Sequence, residues 1–360
     1  DTSTPSLIIA QDDYHNHYRR PLGASYLRSS IMSSQDPSVP SSDGSSDSET
    51  YHRTIETKSL TESILEHVVE GGLRYHAYHA GKYPFPNDDV EQQCDEMRHV
   101  MTLALCDGRA FHAPVEDLLD KGAEVLDLGT GTGVWCTELA DAYPNSQFLG
   151  LDLSPIQPEL VPPNVQFVVD DVEHENGWDY PENHFDFIHI RHILYSIKDR
   201  RALIERAFKH LKPGGYLEIQ ELHYDPRADD ASLTEDTTYR LRDFLYHLSQ
   251  GLRVLGSDLH AITHVEEDLS SVGFERVTAT ILKCPIGVWP KKPELSYCGD
   301  LLKTVILDGL KGLARKPFIH GLGWTMMQVE MLLVEVRRAV ADTGFHTYLP
   351  FHMIHARKPV

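Results

Sequence analysis

The stretch 124–152, EVLDLGTGTGVWCTELADAYPNSQFLGLD, holds an apolar run, a glycine-rich turn, a helix-length segment and a second apolar run that ends on an acid. EVLDLG reads as a buried strand, because a short continuous apolar run bounded by turn residues suits a strand covered on both faces. Asp127-Leu128-Gly129-Thr130-Gly131-Thr132-Gly133 then leads into a helix over 133–143. Glycines in such a turn let the backbone approach a ligand closely, and the helix beyond it presents N–H groups that lack intrahelical partners. Asp152 closes the next strand, FLGLD, at the place where an acid can receive the hydroxyls of a ribose. The unit predicts a site for a nucleoside cofactor.

Two other nucleotide sites are disfavoured. A dinucleotide fingerprint wants a third small residue for close helix-to-strand packing, and Val134 stands there. The GxxxxGK[ST] pattern of a phosphate loop is absent.

Outward from this unit, apolar runs alternate with helical segments. VQFVV, FDFIHI and GGYLEIQEL add three strands to the first two, separated by helix-length stretches such as 199–211, which is the pattern of a parallel sheet. After a helix at about 232–252, FERVTATILK (274–283) and YLPFHMIHARKP (348–359) make a sixth and a seventh strand. The fold class is therefore α/β, a seven-stranded Rossmann-like sheet. Two helical patterns in 284–347, MMQVEMLLVEVRRAV among them, form an insertion between strands six and seven that is expected to act as a substrate lid.

Ahead of the core, 54–115 is expected as a helical cap. TKSLTESILEHVVE (57–70) spaces Ile64, Leu65, Val68 and Val69 as one helix that Gly71-Gly72 ends, and 88–106 spaces Val90, Cys94, Met97 and Met101 as another, starting on Asn87 or Asp88. Residues 1–53, with SSQDPSVPSSDGSSDSET, are too polar to bury a core and are expected to be a disordered tail, with an arm for protein partners as the alternative. The core then runs over 116–283, with 348–360 as its last strand.

The chain has 360 residues and a formal net charge of −21, which repels polyanions and disfavours nucleic acid as a substrate. Its five cysteines are scattered without a CxxC pair, so a reducing compartment is expected, the cytoplasm or else the nucleus. No apolar run is long enough for a membrane span, and residues 1–30 lack the order of a secretory signal. HxxH pairs occur at His76/His79 and His189/His192, but no third ligand stands at a recognised spacing, and no metal is expected.

The turn 127–133, Asp152, Asp171-Val172, PENHFDFIHIRHIL and KPGGYLEIQE together resemble a class I S-adenosylmethionine-dependent methyltransferase over about 124–222. YHAYHAGKYPFPNDDVEQQCDEMRHV, LSPIQP and the closing MIHARKPV are similar, more narrowly, to the LaeA-like methyltransferases of fungi over about 75–360. The turn here is GTGTG where GCGTG is also common in such enzymes, a change that costs no backbone property. The resemblance implies S-adenosyl-L-methionine as cofactor. It places Gly129, Thr130 and Gly131 along the methionine moiety, Asp152 on the ribose, and Asp171 with Val172 at the adenine. Asp127 and Leu153 flank these positions, Arg191 is a cofactor-site or structural partner, and Tyr83 belongs to the segment that covers the cofactor in the family.

Ligands in open α/β sheets bind beyond the carboxyl ends of the strands. The candidates for a base are therefore His192 first and Glu221 second, and both could also be packing residues at a strand end. Tyr75, Tyr78, Tyr83, Phe85, Trp289, Tyr297 and Trp324 could line an acceptor pocket or fill core, and Trp178 could shield the adenine or plug its loop. Three readings stay open. The favoured one is methylation of a small natural product in fungal secondary metabolism, at O, N or S. The others are a LaeA-type nuclear regulator acting through protein partners, and a non-methylating reaction on this fold.

Overall fold

The computed structural model describes residues 67–79 and 81–360. The expected tail over 1–53 and residues 57–66 of the expected first helix lie outside the described residues. The end of that helix is corrected. His67–Glu70 (β1) is a strand paired antiparallel with Leu73–His76 (β2), Glu70 facing Leu73. Gly71 and Gly72 sit at φ +58° and +79°, the left-handed pair that a two-residue type I′ hairpin turn requires. The glycines join two strands rather than end a helix, and the adjacent β-branched Val68 and Val69 suit the extended backbone.

The second cap element is the expected helix, Asp89–Leu105 (α1), whose start is fixed by the Asp88 carboxylate accepting the Glu91 N–H at 3.2 Å. The core follows as Glu116–Lys121 (α2), Glu124–Leu128 (β3), Val134–Ala142 (α3), Gln147–Asp152 (β4), Val165–Val169 (β5), Phe185–Arg191 (β6), Arg200–His210 (α4) and Leu211–Leu222 (β7). A two-residue strand, Arg227–Ala228 (β8), precedes Arg240–Val254 (α5), Val265–Val272 (α6) and Glu275–Pro285 (β9). Pro293–Lys316 (α7), Met326–Ala341 (α8) and Thr347–Arg357 (β10) complete the chain.

The long strands lie in the order β5-β4-β3-β6-β7-β10-β9, with β8 beside the start of β10. β5 through β7 are parallel, and β10 runs antiparallel between β7 and β9. The direction of winding reverses between β3 and β6, where Asp127 pairs with Gly150 on one side and His189 on the other. Such a reversal opens a crevice at the carboxyl edge of the sheet.

Leu126, Leu128, Ile188, Ile190 and Leu217 are fully buried in the middle strands, as expected for a sheet covered on both faces. α7 and α8 are the helices of the insertion. α7 packs along α1, close enough that a Cβ on Gly312 would meet Pro86 at 2.9 Å. No helix of the described residues is long and apolar enough to cross a membrane.

Candidate functional site

Two adjoining clefts open at the β3/β6 reversal, of about 820 Å³ and about 400 Å³, and share Asp95, Gly129, Gly131, Arg191 and His192 as lining. The glycine turn forms the dividing floor. Gly129 and Gly131 hold φ +72° and +57°, and a Cβ on Gly129 would meet Ile193 Cγ2 at 2.5 Å. The turn therefore accepts no side chain at Gly129 without displacing the loop after β6.

Asp152 anchors that turn. Its Oδ2 accepts the Gly131 N–H at 2.9 Å and its Oδ1 accepts the Ser154 N–H at 2.8 Å, while its carboxylate lines the larger cleft. Burial, with the nearby charges of Asp95 and Asp127, pushes its pKa up to about 7 against the two N–H donors. Gln157 donates from Nε2 to the Gly131 and Ser154 carbonyls at 2.7 and 3.0 Å, so the SPIQP segment ties the loop after β4 to the glycine turn.

Asp127 and Thr130 line the smaller cleft from below. The Asp127 Oδ1 lies 2.7 Å from Nδ1 of His189, whose ring stacks on Trp135 at 3.9 Å between centroids. Among the described residues no group of three His, Cys, Asp or Glu side chains is placed to hold a metal ion. Leu153 and Val172 line the larger cleft, as does Tyr83, which packs edge-on against Phe85 at 5.3 Å.

Two of the expected positions are moved by the structure. Asp171 is not on the cleft wall: its Oδ2 faces His79 Nδ1 at 3.0 Å and Lys82 Nζ at 3.5 Å, and its Oδ1 accepts the Glu173 N–H at 2.8 Å. Asp170, one residue earlier, is the acid that lines it. Glu221 is likewise off the wall and 1% exposed, behind His192. It accepts the Leu194 and Leu222 N–H groups at 3.0 and 3.1 Å, and burial pushes its pKa up to about 8. It cannot touch an acceptor, and its place is that of a positioning residue.

His192 does line both clefts. It stands just past β6 at φ +58°, a conformation uncommon for a side chain other than glycine and costly by about 1–3 kcal/mol. Neither ring nitrogen makes a hydrogen bond within the protein, and Nδ1 lies 3.5 Å from Glu221 Oε1. Burial first, then the charges of Arg191 and Arg98, holds the ring well below the ordinary histidine range, so it is neutral.

The helix α1 supplies wall residues that the pattern of apolar positions did not single out: Glu91, Asp95, Arg98 and His99, spaced one and two turns apart. Arg98 donates to Glu91 and Asp95, and Arg191 Nη2 donates to His99 Nδ1 at 2.8 Å. Their signal was a polar stripe on a helix whose other side, Cys94, Met101 and Leu105, is apolar and buried.

Of the aromatic candidates only Tyr83 reaches a cleft. Trp178 plugs its loop, donating from Nε1 to the Val172 carbonyl at 3.0 Å and stacking on His210. Trp289 donates to the Thr347 carbonyl at 3.0 Å, and Trp324 packs on Phe318 and His247. No residue of 284–347 lines either cleft.

A glycine turn over a crevice, an acid at the end of the neighbouring strand and a second acid after the third define an α/β protein with a nucleoside-cofactor site. A methyltransferase-domain model matches residues 97–266. The methyltransferase PytC of Aspergillus terreus is 38% identical over 84% of this chain and 91% of its own length. The secondary metabolism regulator LAE1 of Cochliobolus heterostrophus is 30% identical over 81% of this chain and 94% of its own. Among solved structures, the [4+2]-cyclase SpnF is 17% identical with a TM-score of 0.43, over 77% of this chain and 88% of that one. The chain belongs to the family of S-adenosylmethionine-dependent methyltransferases that includes PytC and the LaeA-like proteins.

The residues present suit that cofactor. The cleft offers a bare glycine turn, the carboxylate of Asp152 on its wall and the guanidinium of Arg191, whose buried Nη1 has no partner within the protein.

Proposed function

We propose that the chain methylates a small natural-product acceptor of fungal secondary metabolism, at oxygen, nitrogen or sulfur, in the larger cleft. Asp152 and Leu153 hold the ribose side, Asp170 and Val172 the adenine side, and Gly129, Thr130 and Gly131 the backbone bed beneath. The bound cofactor supplies a methyl group on a sulfonium, ready for in-line displacement. His192 is the group that meets the acceptor, and it carries the reading: a neutral, strained, buried imidazole on the cleft wall whose nitrogens bond to nothing in the protein.

Its part is to orient the acceptor and take its proton. Glu221, 3.5 Å behind, orients the ring and loses its own proton near pH 8, so the pair becomes a stronger base through that region. Acceptors that need no base, such as a thiolate or free amine, need only the orientation. Tyr83, Pro86 and Ile197 on the same wall give the acceptor apolar contact and exclude water. The test is incubation with S-adenosylmethionine and fractionated fungal metabolites. A product heavier by one methylene, formed with S-adenosylhomocysteine, supports the reading, and turnover confined to protein acceptors refutes it.

The 30% identity to a regulator favours a second reading, in which the same site serves protein partners in the nucleus rather than a metabolite in the cytoplasm. Under it the methylated product in that assay is a partner protein.

A further inference from the structure

Three sulfur atoms meet in the core where α1, β9 and α7 come together, outside both clefts. Met101 lies in the last turns of α1, Cys284 at the end of β9 and Cys298 in the second turn of α7. All three are fully buried. The Cys284 Sγ stands 3.6 Å from the Cys298 Sγ and 3.6 Å from the Met101 Sδ, and the Cys298 Sγ stands 3.6 Å from the Met101 carbonyl oxygen. Methyl transfer in the cleft uses none of them.

A buried thiol pair can close a disulfide or act as two ligands. Oxidation needs a thiolate within reach of an oxidant. Burial holds the Cys284 thiol well above the ordinary range, and neither sulfur meets solvent. A disulfide also leaves Met101 without a part. A thioether beside two thiols is instead a donor set for a soft cation, and among the biological metals Cu(I) takes thiolate and thioether sulfur together. Binding sends the thiol protons to solvent. One monovalent ion between two thiolates leaves a single net charge where bare thiolates would place two, so the ion itself offsets the burial that keeps the thiols protonated.

The spacing is that of a coordination shell. Metal–thiolate bonds are about 2.3 Å long. Two sulfurs 3.6 Å apart, each at that distance from one ion, subtend about 103° at it, close to the tetrahedral angle. Both separations around Cys284 meet this condition, so an ion can take the place of the thiol protons between the sulfurs. Cys284 and Cys298 also lie one layer below the surface. The link 286–292 between β9 and α7 carries the exposed Val288 and Trp289, and local opening of that link admits an ion.

We propose that Cys284 and Cys298, with Met101 as third ligand, form a binding site for a soft monovalent cation, Cu(I), which ties the cap helix α1 to β9 and α7. The site stands apart from the cofactor cleft and rests on no assignment made there.

Anaerobic titration of the reduced full chain with Cu(I), in competition with a chromogenic Cu(I) chelator, reads the number of ions held and their affinity. The wild-type chain should retain one ion. Cys284→Ser and Cys298→Ser should each weaken retention about 100-fold or more, and Met101→Leu, which keeps the side-chain volume, about tenfold. Cys94→Ser, at a buried thiol of α1 outside the trio, should change it by less than about twofold. X-ray absorption on the loaded wild-type chain, which needs no variant to fold, should show three sulfurs at about 2.3 Å around the ion, and two in Met101→Leu. The proposal is overturned by a wild-type chain that yields the ion to the chelator, by a Cys284–Cys298 disulfide formed in its place, by nitrogen or oxygen ligands alone around the copper, or by retention that Met101→Leu and both serine variants leave unchanged.

Discussion

In the proposed site Asp152 takes both ribose hydroxyls as donors and must be ionised to do so, yet burial and the charges of Asp95 and Asp127 raise its pKa to about 7. Cofactor affinity should therefore depend on pH in the physiological range. The acid form predominates below pH 7 and must lose its proton for the ligand, so affinity rises with pH through about 7 and levels off above it. One unit below that pKa the ionised fraction is about one in eleven, which corresponds to an affinity loss of roughly tenfold, or about 1.4 kcal/mol. Titrating S-adenosylhomocysteine into the protein from pH 6 to pH 8, in two buffers of different ionisation enthalpy, measures both the affinity and the protons released. Near pH 6 the account expects close to one proton released per ligand, falling toward zero by pH 8. Asp152→Asn should be weaker at every pH and lack this dependence, which separates it from titration of Glu221. An affinity flat from pH 6 to 8, or a slope that survives in Asp152→Asn, refutes the reasoning.

Other perturbations have equally direct readouts. Gly129→Ala should lower stability in urea unfolding by about 2–4 kcal/mol, combining a φ of +72° with a 2.5 Å clash on Ile193. His192→Gln should lower kcat for a hydroxyl acceptor by about 10²–10⁴ while leaving S-adenosylhomocysteine affinity within a few-fold, and the rise in wild-type rate through pH 8 should vanish in Glu221→Gln. Burial raises the pKa of Glu218, but the His112 imidazole 3.6 Å away, then the charge of His189 and the bond from Gln220, outweigh it and lower the pKa to about 2; the carboxylate also accepts the His112 and Ala113 N–H groups. Its folded-state pKa lies below its unfolded value, so it stabilises the fold above about pH 4.5, and this contribution is lost as pH falls toward 2. Glu218→Gln should cost about 2–4 kcal/mol at pH 7 by urea unfolding and blunt the acid sensitivity between pH 4.5 and 2.

The sheet was legible because its strands are short apolar runs bounded by turn residues, and the helices between them carry capping and glycine stops that point the same way. The glycine turn and Asp152 were legible for a related reason, since a strand, a tight turn and an acid at a fixed interval leave little freedom in space. Gly71-Gly72 misled because two glycines end a helix and make a hairpin turn equally well; only the pairing of 67–70 with 73–76, a tertiary fact, separates the two. Asp170 and Asp171 are adjacent in sequence and alternate in direction, so which one faces the cleft depends on the His79 and Lys82 side chains that take the other. Glu221 could be placed at a strand end but not at a depth, because its burial comes from the loop that carries His192 and from β10. The Asp95, Arg98 and His99 face of α1 was hidden by attention to apolar spacing, although a polar stripe on a helix packed between two surfaces is itself a signal of a site.

The central claim, that the crevice between β3 and β6 transfers a methyl group to a small acceptor, is tested most directly by incubating the purified chain with S-adenosylmethionine labelled in its methyl group and a metabolite extract. The account predicts label in one small-molecule fraction, matched mole for mole by S-adenosylhomocysteine and abolished by Asp152→Ala. Label recovered only in protein, or transfer that Asp152→Ala leaves unchanged, contradicts it.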